Sequence, residues 1–200
     1  MFIIDSIASQ FHQLSVVIEQ LSAEEYKMPI DALSNATIGK HTRHIIEHFL
    51  QLNVGYTSAE INYDHRCRNK ELEENKLTAL TTIWNIKSEL YKPDKQMTLA
   101  TDDDINVTTT YYRELLFNLS HVTHHMAQIR IGVKDIKSLS IPEGFGIAAS
   151  TLKYRKQSSR MNKFHVVYLL AYFLCFAFMV ASLVWFFMHH SEVWKKLLPG

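Results

Sequence analysis

Apolar residues return at helical spacing in four stretches of the chain, Ile4 to Leu21, Ile38 to Val54, Leu72 to Tyr91 and Tyr111 to Ile136. Each stretch gathers its apolar positions on one side of a helix, and four such amphipathic helices predict an all-α fold built as a four-helix bundle. The second helix has a legible start, because Ser34 or Thr37 can supply a capping oxygen just before the periodicity begins. The third stops at Lys92-Pro93, since proline disfavours helical geometry in the residue before it. Between the third and fourth helices, QMTLATDDDINVTTT alternates apolar and polar residues around an acidic turn. That period of two predicts a small β-hairpin, Met97 to Ala100 with Ile105 to Thr109, capping one end of the bundle.

A fifth stretch follows a different rule. From Val166 to Met188 there are 23 consecutive residues without a charge, VVYLLAYFLCFAFMVASLVWFFM, against about 20 needed to cross the bilayer hydrocarbon. A core helix of a soluble protein rarely runs so far without a polar stripe, so the expectation is a single C-terminal transmembrane helix. The chain then divides into a bundle over residues 1–156, a basic juxtamembrane linker over 157–164, the transmembrane helix over 165–189 and a short tail over 190–200. Lys153, Arg155, Lys156, Arg160 and Lys163 precede the span, and only Lys195 and Lys196 follow it. By the positive-inside rule this is a single-pass membrane protein with its N-terminal domain in the cytoplasm. The N-terminus, MFIIDSIASQ, lacks the basic region of a cleavable signal peptide.

Charge and cysteine narrow the chemistry. A net charge of +1 offers no electrostatic footprint for nucleic acid. Two cysteines, Cys67 in a polar stretch and Cys175 inside the apolar run, cannot build a disulfide framework or a multi-thiolate metal site. No phosphate-binding glycine loop or nucleophile elbow occurs.

The histidines are the informative feature. Of 11, six fall in two windows: His41, His44 and His48 in IGKHTRHIIEHFL, and His121, His124 and His125 in NLSHVTHHMAQIR. At about 100° per residue, positions 41, 44 and 48 lie within about 60° of one another, and positions 121 and 125 sit one turn apart on one face. If the two stripes face each other, one imidazole from the first and the pair from the second converge on one divalent transition ion, zinc, nickel or iron, with open positions left for water or substrate. Six imidazoles exceed what such a site takes. His41, His48 and His124 are therefore additional ligands or neighbours of the ligands, and Gln128, one turn beyond His125, is placed to orient a ligand or a bound water. The bland alternative for any one of these residues is an ordinary helix histidine or glutamine. Arg43, beside His44, and Arg113, at the start of the last helix, are candidates for binding a carboxylate on the substrate, with salt bridges between helices as the alternative.

Four runs, TIGKHTRHIIEHFLQL, NYDHRCR, YYRELLFNLSHVTHHMAQIRIG and IPEGFGIAASTLKYRK, resemble the DinB/YfiT-like superfamily of metal-dependent four-helix-bundle proteins, in the family's order and over about residues 1–156. The most specific element is His-x-x-x-His with Gln three residues later on the last helix, combined with a histidine early on the second. The resemblance implies His44, His121 and His125 as the metal triad, with His41 and His48 as neighbouring alternatives to the first. It further implies a thiol transferase that uses a low-molecular-weight thiol, or a metal-dependent hydrolase, acting on a small-molecule substrate. Bundles of this family often pair, so a homodimer is also expected. The membrane helix departs from the family's usual pattern. A non-catalytic metal-binding or sensing module anchored in the membrane is the competing reading, and a site filled by four or more imidazoles would favour it.

Overall fold

The computed structural model describes residues 2–103, 105–136 and 138–189, and these fall into two compact units divided between Ala148 and Ala149. The first unit opens with helix α1, Phe2–Gln20, whose buried Ile4, Ile7, Phe11, Leu14, Val17 and Ile18 form the stripe read from the sequence. A short helix α2, Ala23–Lys27, begins at a capping box in which Ser22 and Glu25 satisfy each other's backbone N–H groups. Helix α3, Ile38–Ser58, starts at Thr37, whose Oγ1 accepts from the Lys40 amide at 2.8 Å. Ser34 instead ends a preceding 3-10 turn with a left-handed backbone.

The third predicted helix is two. Helix α4, Lys70–Glu74, and helix α5, Lys76–Glu89, meet at Asn75, whose side chain accepts from the amides of Leu77 and Thr78 while its own amide donates to Glu71. A side-chain oxygen that caps the next helix outcompetes continuation of the first. Strands β1, Glu60–Ile61, β2, Gln96–Ala100, and β3, Asn106–Thr110, make a three-stranded sheet. The β2–β3 pair is the expected hairpin, in a register that sets Met97 opposite Thr109. Strand β1 pairs parallel to β2 and was not anticipated, since two residues carry no readable alternation. Helix α6, Tyr111–Gly132, follows β3 directly, with Thr110 Oγ1 accepting from the Arg113 amide.

Helix α1 contacts α5 and α6, and α3 contacts the same two, and buried residues of these helices contribute to one apolar core. Phe11 and Phe49 meet edge to face inside it, with ring centroids 4.8 Å apart, and Tyr111 donates its hydroxyl to the Leu90 carbonyl. The sheet ties the end of α3 to the start of α6. The chain is thus mostly helical, with a small sheet.

The second unit contains helix α7, Ala149–His189, whose apolar side chains are exposed along its length. It is long and apolar enough to cross a membrane. The helix absorbs residues 149–156, which the sequence assigned to the first domain, and residues 157–164, which it assigned to a linker. No glycine or proline occurs from 149 to 189, so basic residues alone do not interrupt the helix. The predicted tail, 190–200, lies outside the described residues.

Candidate metal centre

Because α3 and α6 pack side by side, the two histidine stripes meet. His44 comes from α3, His121 and His125 from α6, and one nitrogen of each lies within 4.8 Å of the others'. Their ring centroids form a nearly equilateral triangle, 4.9 Å from His44 to His121 and 4.6 Å on the other two sides. An ion held tetrahedrally at about 2.05 Å keeps its nitrogen ligands about 3.4 Å apart, a spacing comparable with the separations here. These residues lie close enough to bind a metal.

Further histidines surround the triad. His41 Nδ1 is 3.0 Å from His125 Nδ1, so one of the two carries the shared proton and His125 keeps Nε2 for another partner. His48 stacks on His121 at 4.1 Å and on Tyr63 at 4.8 Å. His124 is exposed and meets His125 edge to face, while Gln128 is half-buried one turn further along α6. His41 Nε2, His48 Nδ1 and His121 Nε2 are buried without a hydrogen-bond partner. Orphaned polar atoms at this density are costly unless something fills the space between them, and a cation fits an all-imidazole donor set.

Burial favours the neutral form of five of these histidines, His41, His44, His48, His121 and His125. Burial, followed by the charge of neighbouring imidazoles and of Arg66, pushes His44 down to about 4 and His48 to about 3. His41, His121 and His125 are lowered as well, burial being the main cause in each. Unprotonated imidazoles at neutral pH are the form that ligates metal.

The arginines proposed for substrate binding are engaged within the protein. Arg43 pairs with Glu73 and lies 3.7 Å from the buried Glu47, and Arg113 donates to Glu114 at 2.7 Å. Three features add to the sequence reading. Glu47 accepts from the Asn69 amide and holds the connection between β1 and α4 against α3. Glu114, fully buried, accepts from Thr109 at 2.6 Å and from the Tyr63 hydroxyl at 3.0 Å, and Asn118 donates to that same hydroxyl at 2.7 Å. This fixes the Tyr63 ring on which His48 lies. Arg66 donates to the Tyr63 carbonyl at 3.0 Å, and its charge reaches His44, His48 and His121.

No protein-family model matches the chain, and searches of curated proteins and of solved structures find no match. The functional reading therefore rests on the geometry of the site and on the sequence motifs.

Proposed function

We propose that the first unit is a four-helix bundle of the DinB/YfiT-like type. In this reading His44, His121 and His125 hold one divalent transition ion, and the site activates a low-molecular-weight thiol or a water for attack on a small-molecule substrate. The observation that carries this reading is the convergence of three half-buried imidazoles from two facing helices, with the buried His121 Nε2 left without a hydrogen-bond partner. Three protein ligands leave room for an exogenous one, as in catalytic rather than structural sites. When bound, the ion supplies Lewis acidity that lowers the pKa of a coordinated thiol or water toward neutrality.

The chain's own residues do the rest. His41 orients His125 through the shared proton, and the stack of Tyr63, His48 and His121 sets the plane of the second ligand. In thiol transfer the sulfur forms the new bond to an electrophilic carbon, the thiol proton passes to solvent, and the leaving group departs with its bonding pair. In this account α7 tethers the unit to a membrane, and the basic residues before the apolar run keep that unit cytoplasmic.

The test is turnover by the full-length chain in detergent, loaded with zinc, nickel or ferrous iron. Low-molecular-weight thiols are offered with a chromogenic aryl halide, and activated esters are offered with water. Metal-dependent product formation that chelator and His125→Ala both abolish supports the reading. A loaded protein with no exchangeable coordination position and no turnover would instead be the membrane-anchored binding or sensing module.

A further inference from the structure

Near the histidine cluster, Arg66 leaves most of its hydrogen-bonding capacity unused and, among the described residues, has no carboxylate within hydrogen-bond distance. A guanidinium carries five N–H donors in a planar fork. Arg66 spends one, from Nη1 to the Tyr63 carbonyl at 3.0 Å. Its Nε is buried without a hydrogen-bond partner, as is that of Arg43, and among the described residues its one carboxylate neighbour, Glu47, stands 3.8 Å away, beyond hydrogen-bond reach. Glu47 is also shared with Arg43 at 3.7 Å. Arg43 has a second, closer carboxylate in Glu73, and Arg113 has Glu114, so both are neutralised by direct contacts that Arg66 lacks.

Arg66 is anchored to the residue whose ring packs on the imidazoles. It hangs from the carbonyl of Tyr63, whose ring stacks on His48, which stacks in turn on His121. Its side chain is one-fifth exposed, enough to meet a small ligand and too little to be freely solvated. A guanidinium held in this way is expensive to bury and becomes favourable when an anionic oxygen group completes its fork. The lowering of three cluster histidines by its charge agrees with this placement.

We infer that Arg66 is the specificity residue of the site: it binds a carboxylate, or a similar anionic oxygen group, on the same molecule that offers its sulfur or oxygen to the metal. The ligand class is therefore a small anionic compound with a metal-binding group a few bonds from its carboxylate. This inference rests on the metal-site reading above. It moves the charge-recognition role expected of Arg43 and Arg113 to a residue on the irregular connection between β1 and α4.

The experiment compares two near-isosteric thiols, 3-mercaptopropionate and 3-mercaptopropionamide, on the full-length protein in detergent, loaded with cobalt(II). Visible absorption reports each thiol's dissociation constant without any turnover. The acid should bind about tenfold more tightly than the amide, the scale of one charge-assisted contact. Arg66→Gln should erase that preference while leaving cobalt content and the amide's affinity within about twofold of the parent, and Arg66→Lys should retain part of it, because charge survives and the fork does not. Equal affinities in the parent, or a full preference kept in Arg66→Gln, would overturn the inference and leave the metal site standing. Loss of cobalt from both variants would assign Arg66 to bracing the fold and overturn its role in recognition. A parent protein that takes up no cobalt would overturn the metal-site reading, and the inference with it.

Discussion

Acidification of the metal-free protein should expose the cost of packing neutral histidines together, and His48 gives the cleanest measure of it. Its ring is 6% exposed between Tyr63 and His121, and burial holds its pKa near 3 against an ordinary 6.5. The unfolded chain then binds a proton that the folded chain refuses wherever the pH lies between those values. The stability from a neutral His48 is complete above pH 6.5 and is lost progressively as pH falls toward 3. From pH 6.5 to 4.5 the loss integrates to about 2 kcal/mol for this residue alone, at about 1.4 kcal/mol per pH unit once the unfolded form is fully protonated. Other groups titrate over the same range, so the comparison is with His48→Phe, which keeps an aromatic ring in the stack and removes the proton site. Urea unfolding in the presence of chelator, followed by circular dichroism at pH 6.5 and 4.5, should show the parent losing about 2 kcal/mol more than the variant over that interval. Equal losses in the two proteins would refute the claim that His48 is held neutral by its surroundings.

Three further outcomes follow from particular contacts. Gly146 has φ +65°, and a Cβ there would lie 2.6–2.7 Å from backbone atoms of Met126 and Ala127; Gly146→Ala should therefore cost about 2–4 kcal/mol in urea unfolding and weaken metal binding by shifting the helix turn that bears His125. His41→Ala removes the partner of His125 Nδ1, and competition with a chromophoric chelator should show zinc affinity about 10- to 100-fold lower. Glu114→Ala strips the acceptor from three donors in a buried network and should destabilise by about 3 kcal/mol, whereas Arg113→Ala, more than half exposed, should cost less than about 1 kcal/mol, both read from denaturant midpoints.

The long helices were legible because their stripes of Ile, Leu, Val and Phe repeat over several turns. The hairpin was legible because Met97 to Ala100 and Ile105 to Thr109 alternate on either side of an acidic turn. Strand β1 was not, since its pairing with β2 is decided by the left-handed turn at Ala59 and the Thr98 amide donating to the Ala59 carbonyl. Asn75 looked like one more polar position on a helix, and its capping role shows only where α5 begins. At the site, the four-residue spacing of His121 and His125 was enough to pair them. His41, His44 and His48 share a face too closely for spacing to choose among them; the packing of α3 against α6 does so, grouping a His44 nitrogen with those of His121 and His125. The part played by Arg66 was not legible because it sits on a connection without periodicity, and its contacts with the nearby Tyr63 carbonyl and the distant Glu47 determine where its side chain goes. The boundary at Ala148 was missed for a simpler reason: charge marks solvent exposure and says nothing of where a helix starts.

The most direct test of the account is the metal content of the purified full-length chain after anaerobic reconstitution, measured by elemental mass spectrometry beside His44→Ala, His121→Ala and His125→Ala. The account predicts about one transition ion per chain in the parent and none retained by any of the three variants. A parent without metal, or variants that keep a full equivalent, would contradict it.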